Sequence, residues 1–281
     1  MRVRLSTVAW GLAVLGAGAA GIGAFVLYAG FYNVAATHQH LAPTYALLDI
    51  GLRESIERHA RAIVVPPLGD PALSARGFEL YAVQCAQCHG APGVAPAAFA
   101  LGLTPVPANL AHTARERTAA QIFWVIKHGI KMTGMPAWEF RFADPDLWAL
   151  VAFVRDLPKI TPEDYASRVR KLANEPATRT STMVSAEYSP DAARGKMALR
   201  QYACTTCHVV PGVVGEHAPV GPPLGRIATR DYIAGMLPNT PANMVRWLRH
   251  PKDVNPRTAM PDLGVNERDA RDMAAYLYTL K

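Results

Sequence analysis

Two five-residue strings, Cys85-Ala86-Gln87-Cys88-His89 and Cys204-Thr205-Thr206-Cys207-His208, use all four cysteines of the chain. Two thiols three positions apart can each add to a vinyl group of one haem, and the imidazole that follows can reach the iron. C-x-x-C-H is therefore a covalent haem-attachment spacing. A four-cysteine zinc site, a thioredoxin-like redox pair and a chance match are the competing readings. Zinc needs both pairs to converge and gives no role to a histidine at the same offset after each pair. The duplication favours two covalently bound c-type haems, one on Cys85, Cys88 and His89 and one on Cys204, Cys207 and His208.

A haem bound in this way still needs a sixth ligand, which a methionine on a later loop can supply. Met135 lies in Gly134-Met135-Pro136 and Met260 in Ala259-Met260-Pro261, following His89 and His208 at similar distances. The proline after each methionine removes an amide donor and stiffens the loop that carries the soft sulfur. Met135 and Met260 are thus the expected distal ligands, with Met132 as runner-up in the first site. His128, His217 and His250 offer a two-histidine alternative of lower potential, and the repeated Met-Pro favours the high-potential choice.

These ligands need elements to hold them. The 281 residues suffice for about two domains at roughly 150 residues each. No Asp, Glu, Lys or Arg occurs from Leu5 to Leu48. The apolar run Val8 to Tyr32, about 25 residues, exceeds the roughly 20 that cross a hydrocarbon core. Arg2 and Arg4 precede it, so the positive-inside rule keeps the N-terminus in the cytoplasm and delivers the rest to the periplasm. A cleaved signal peptide near Ala35-Ala36 is the alternative, but a signal's apolar region spans only about 7–15 residues. Ala13, Ala17 and Gly21, and likewise Gly16, Ala20 and Ala24, give this helix faces that permit close approach.

The expected organisation is an anchor over residues 1–36, a helical connector over 37–70, a first haem domain over 71–157, a linker over 158–190 and a second haem domain over 191–281. Within it, helices are expected at 44–63, 72–86, 118–128 and 144–157, then at 191–203, 242–249 and 266–280. Pro162, Pro176 and a Thr/Ser cluster mark the linker. No sheet is expected, and each unit is too small to bury a large protein core without its haem. His38, His40 and His59 read as interfacial polar residues rather than ligands.

The two units resemble class I cytochromes c, so the expected fold is all-α, one N-terminal transmembrane helix followed by two such domains in tandem. Gly195 and Tyr202, Gly221-Pro222-Pro223-Leu224, Trp247-Leu248, Pro251, the stretch from Pro256 through Met260-Pro261, and Tyr276-Leu277 carry the resemblance in the second unit. It implies that the Pro222 carbonyl accepts from the His208 imidazole, and that the first and last helices cross with Gly195 towards Tyr276. In the first unit it implies Gly77 against Trp148 or Val151. That unit resembles shorter single-haem domains of bacterial respiratory chains through Gly77, Tyr81, Lys127-His128-Gly129-Ile130, Met132-Thr133-Gly134-Met135-Pro136-Ala137-Trp138 and Trp148. It lacks a clear Gly-Pro-x-Leu, and Pro105 or Pro107 is the guess for the carbonyl that supports His89. Lys127 and Lys131 could flank a haem edge or lie on a solvated helix face.

The resemblance implies an electron carrier, not an enzyme, in a bacterial inner membrane with its haem domains on the periplasmic side. The redox partner it suggests is a membrane-embedded haem-copper oxidase complex, with a periplasmic dehydrogenase as the alternative and a dihaem peroxidase as a lesser one. The net charge is +7, and residues 191–281 hold 12 basic against 8 acidic residues. That excess favours an acidic protein surface. Membrane lipid is an expected contact, whereas nucleic acid is excluded because no basic run with interleaved aromatics occurs. Replacing both cysteines of one motif by serine should halve the covalent haem of the chain, read as the haem-to-protein ratio of a pyridine haemochrome spectrum.

Overall fold

The computed structural model describes residues 5–174, 188–215 and 220–281, in two units that divide between residues 175 and 176. Arg2, Arg4, Pro176 and His217 lie outside the described residues. The chain is mostly helical, and its N-terminal helix α1 (Leu5–Tyr28) is compatible with a membrane anchor. At 1.5 Å per residue α1 is about 36 Å long, enough to cross a hydrocarbon core of about 30 Å.

The first unit continues with α2 (Ala42–Ala60), α3 (Pro71–Gln84), α4 (Ala86–His89), α5 (Ala98–Leu101), α6 (Leu110–Glu116), α7 (Ala119–His128), α8 (Asp144–Asp156) and α9 (Pro162–Asn174). Local chemistry starts these helices. Asp70 accepts the Ala72 amide at 2.8 Å and Pro71 follows it, while Thr118 and Gln121 form a reciprocal capping box on α7. The core is built on α8, where Leu147, Leu150, Val151, Phe153 and Val154 are buried. Phe153 packs at 5.6 Å from Phe78 and 5.0 Å from Tyr81, both on α3. A large apolar side chain buried in this way contributes about 1.5–3 kcal/mol.

In the second unit α10 (Ala192–Gln201), α11 (Pro241–Arg249), α12 (Pro251–Val254) and α13 (Glu267–Leu277) surround Leu199, Met244, Trp247, Met273 and Leu277. Asp191 caps α10 through the Ala193 and Arg194 amides at 2.7 and 3.1 Å. The absence of any sheet is corrected by a short hairpin, β1 (Tyr232–Ile233) with β2 (Leu237–Pro238). Gly235, with φ of 70°, sits in its turn, which the alternation of so short a pair does not announce.

One contact recurs in both units. A Cβ on Gly77 of α3 would lie 1.9 Å from the Ala149 carbonyl oxygen of α8, and a Cβ on Gly195 of α10 would lie 1.8 Å from that of Asp272 on α13. In each unit the helix that precedes the cysteine motif therefore touches a later helix backbone to backbone, α3 on α8 and α10 on α13. The expected neighbours are shifted along the later helix. Gly77 meets Ala149 and Phe153 rather than Trp148 or Val151, and Gly195 meets Asp272 and Met273 rather than Tyr276. Tyr276 instead donates to the Pro211 carbonyl at 2.6 Å.

The expected linker is also corrected at both ends. Pro162 opens α9 instead of breaking a helix, with Thr161 accepting the Asp164 amide at 3.1 Å and acidic residues in the first turn. Tyr165 of α9 is buried against Phe78 at 5.6 Å, so α9 belongs to the first unit. At the other end, buried Asp272 accepts from the Tyr188 hydroxyl, from the Asp191 amide at 2.6 Å and from Arg194 at 3.0 Å. Burial works against the Arg194 charge, yet its bonds to Asp272 and Tyr188 hold it above its ordinary pKa. Residues 188–190 are thereby tied to the second unit.

Any side chain at the two crossings must push the helices apart. Gly77→Ala and Gly195→Ala should each cost about 1–3 kcal/mol or more, seen as a fall in the denaturation midpoint of the unit that carries the change.

Candidate haem sites

The helix crossing places the first motif. α3 ends at Cys85, whose amide donates to Tyr81, and the α4 turn follows, with the His89 amide returning to the Cys85 carbonyl at 3.0 Å. Tyr81, buried on the same helix, donates its hydroxyl to the Gly90 carbonyl at 2.6 Å and holds the end of that turn. Burial, with smaller help from neighbouring Cys85 and Tyr165, pushes the Tyr81 phenol far above its usual range, so it remains a donor. In the second unit Cys204–Thr206 form a 3-10 turn after α10, and the His208 amide returns to Cys204 at 2.9 Å.

Each imidazole is then fixed by one backbone carbonyl. His89 Nδ1 lies 2.8 Å from the Ala108 oxygen, and His208 Nδ1 lies 2.8 Å from the Pro222 oxygen. An Nδ1–H donated to a carbonyl leaves the Nε2 lone pair free for a metal, orients the ring and raises its basicity. Burial lowers the His89 pKa, with the Ala108 bond opposing it in part, which favours the neutral ring. The Pro222 bond is the one the resemblance implies. Ala108 corrects the guess of Pro105 or Pro107. Its carbonyl is positioned because Asn109 caps α6 by accepting the His112 amide at 3.1 Å, so the legible signal was the capping asparagine rather than a proline.

Close packing reserves the space around His208. A Cβ at Gly221 would lie 2.4 Å from the His208 ring, so any other residue there displaces the imidazole. The Gly221 amide also donates to the Cys207 carbonyl at 2.8 Å. The glycine of Gly221-Pro222 is thus required by a contact and not by its backbone angle.

The methionine turns share a device in which Thr133 and Thr258, quoted in the resemblance without a role, take part. The Met135 amide donates to the Thr133 hydroxyl at 3.1 Å, and the Met260 amide to the Thr258 hydroxyl at 3.1 Å. The Thr133 hydroxyl in turn donates to the Ile130 carbonyl at 2.8 Å. Thr-x-Met-Pro is therefore a small hydroxyl-braced turn in both units. Gly129, with φ of 64°, lets the first turn fold back on α7, since a Cβ there would meet Met135, Pro136 and Ala137 backbone at 2.7 Å. Met135 packs on the same core as Cys85, and Met260 on the same core as Cys204. Met132 is turned outward, with a left-handed φ of 59° and 99 % exposure.

Of the histidine alternatives, His128 is engaged elsewhere, His250 is exposed at the end of α11, and His217 lies outside the described residues. His128 Nδ1 lies 3.4 Å from Glu139, and its ring packs beside Trp124. His59 also stacks on that tryptophan and bonds to the Ser55 carbonyl, and His40 bonds to Tyr32 at 2.6 Å. Lys127 is paired with Asp144 at 2.7 Å and lies over Phe123. Burial pushes the Cys85 thiol up to about 12 and the Cys204 thiol up to about 11, an apolar rather than an electropositive setting. Paired thiols, an imidazole with its Nε2 free and a braced methionine on the same core form a donor set that fits a covalently attached haem in each unit.

Comparison with protein families agrees with this chemistry. Residues 72–154 match the family described as cytochrome c oxidase, cbb3-type, subunit III, and residues 192–281 match cytochrome c. No curated relative matches the chain. Met135→Ala and Met260→Ala should each abolish the methionine-to-iron charge-transfer absorption of one haem, whereas Met132→Ala should leave both bands intact in the oxidised visible spectrum.

Proposed function

We propose that this chain, built with two cytochrome c domains in tandem, is a membrane-anchored dihaem electron carrier that relays single electrons on the periplasmic face to a haem-copper terminal oxidase. The observation that carries the reading is the same pair of supports in both units, a carbonyl on the proximal imidazole and a threonine-braced methionine turn. Cys85, Cys88, Cys204 and Cys207 would hold the two haems, with His89 and Met135, and His208 and Met260, as axial ligands. When bound, a c-type haem supplies a reversible one-electron iron couple.

The protein's own residues make that couple useful. The Ala108 and Pro222 carbonyls fix ring orientation before and after electron transfer, so little rearrangement accompanies a change of charge. Met135 and Met260 raise the potential relative to a second histidine, which suits delivery to an oxidase. The braced turns keep each sulfur on its own core. Support for an oxidase as partner comes from the family matched by the first domain. Support for the periplasmic side comes from Arg2 and Arg4 before the apolar helix.

Gentle extraction of the tagged full chain from its own membranes tests the partner. Haem a or b should accompany haem c, together with oxygen uptake that is lost when the chain is removed. Recovery of haem c with a haem-free dehydrogenase and no oxygen uptake would overturn the oxidase assignment while leaving the carrier.

A further inference from the structure

The chain between α1 and the first haem site carries apolar surface that the fold leaves bare. The charge-free run does not stop with α1 at Tyr28 but continues through Leu48. Phe31, Leu41, Leu47 and Leu48 in this run are 71, 69, 71 and 56 % exposed. α2 is divided in character along its length. Its second half docks on the first domain, with Ile56 and Ala60 buried and His59 stacked on Trp124 of α7. Its first half shows apolar side chains on several sides, since Tyr45, Leu47, Leu48 and Ile50 are all exposed at 100° steps that point them in different directions, with Asp49 the one charge among them.

The first domain adds to the same surface. The Thr104 hydroxyl donates to the Ala36 carbonyl at 2.9 Å, which fastens the connector to the loop that precedes Ala108. On either side of Thr104, Phe99, Leu101 and Val106 are 59, 61 and 63 % exposed. Apolar side chains gathered in this way mark an interaction surface rather than scattered surface residues.

We infer that the first half of α2 and the Phe99–Val106 loop form an apolar foot, which seats the first domain in the interfacial layer of the same bilayer that α1 crosses. The inference rests on the reading of α1 as an anchor. Lipid is the occupant because the surface continues directly from the spanning helix without a charge between them. A protein groove covers a single apolar stripe, whereas this half-helix exposes apolar side chains on several sides, and the charges that follow at Asp49 and Arg53 give α2 the polar side that an interfacial helix keeps in water. Tyr32 and Tyr45 supply the amphipathic rings favoured at headgroup depth. The first charges, Asp49 and Arg53, pair at 2.9 Å where α2 turns towards the domain. Because Ala108 follows the loop directly, the His89 side of the first site is held near the membrane surface, within reach of a membrane-embedded acceptor.

Nitroxide labelling of the full haem-loaded chain in phosphatidylethanolamine–phosphatidylglycerol vesicles tests this. Labels are placed through Leu48→Cys and Leu101→Cys, with Ala17→Cys in α1 as the lipid reference and Lys171→Cys on α9 as the aqueous reference. An unchanged haem spectrum certifies the fold of each variant. Labels at 48 and 101 should collide with oxygen and lose collisions with an aqueous nickel chelate, as at 17 and unlike 171. If 48 and 101 stay open to the chelate while 17 is shielded, the foot is refuted and the anchor stands. If 17 is open as well, the anchor reading fails and the foot with it. Shielding of 48 and 101 that occurs only in the complex extracted from native membranes would assign the surface to a protein subunit and overturn the lipid assignment.

Discussion

The backbone contact that the helix before each cysteine motif makes with a later helix, α3 with α8 and α10 with α13, is the constraint on which the haem sites depend. At Gly77 and Gly195 the partner carbonyl lies where a β-carbon would be, so the helices approach as closely as main chains allow. That approach aligns α3 with the fully buried row of α8, and α10 with Met273 and Leu277 of α13. Because α3 and α10 each run directly into a cysteine motif, fixing the helix also fixes where the thiols and imidazole emerge. The shorter helices and loops of each domain start from this frame and must return to it.

Those loops differ, yet they deliver the same atoms. The carbonyl that orients the imidazole is 19 residues after His89 in the first domain and 14 residues after His208 in the second. In one it is the residue before a helix cap, and in the other it belongs to a Gly-Pro pair with no room beside the ring. The methionine turns show the same economy, with a threonine hydroxyl accepting the methionine amide in both. What the two domains share is therefore a set of backbone acceptors and donors around the ligands more than a common loop sequence.

Much of this was legible because the decisive residues have few alternative uses. Two C-x-x-C-H strings, an uncharged apolar run and prolines after methionines each point to one chemistry, and the resemblance in the second unit extended to the Pro222 bond. The misreadings have physical causes. Pro162 looks like a breaker but is well suited to the first helical turn, and the apolar residues that bury α9 are spaced thinly among charges. The Ala108 carbonyl has no side-chain signature, since any residue supplies a carbonyl and only the Asn109 cap points to it. Helix crossings were implied by the resemblance, but the partner position was not foreseen, because the closest approach falls on backbone atoms that composition does not label.

The most direct test of the central claim, that each domain presents a histidine and a methionine to its haem, is low-temperature electron paramagnetic resonance of the fully oxidised, full-length chain. We expect two low-spin ferric signals of equal intensity, each lost in a one-electron reduction. A high-spin ferric signal amounting to one of the two haems would contradict it, since it would show an open site where Met135 or Met260 is assigned.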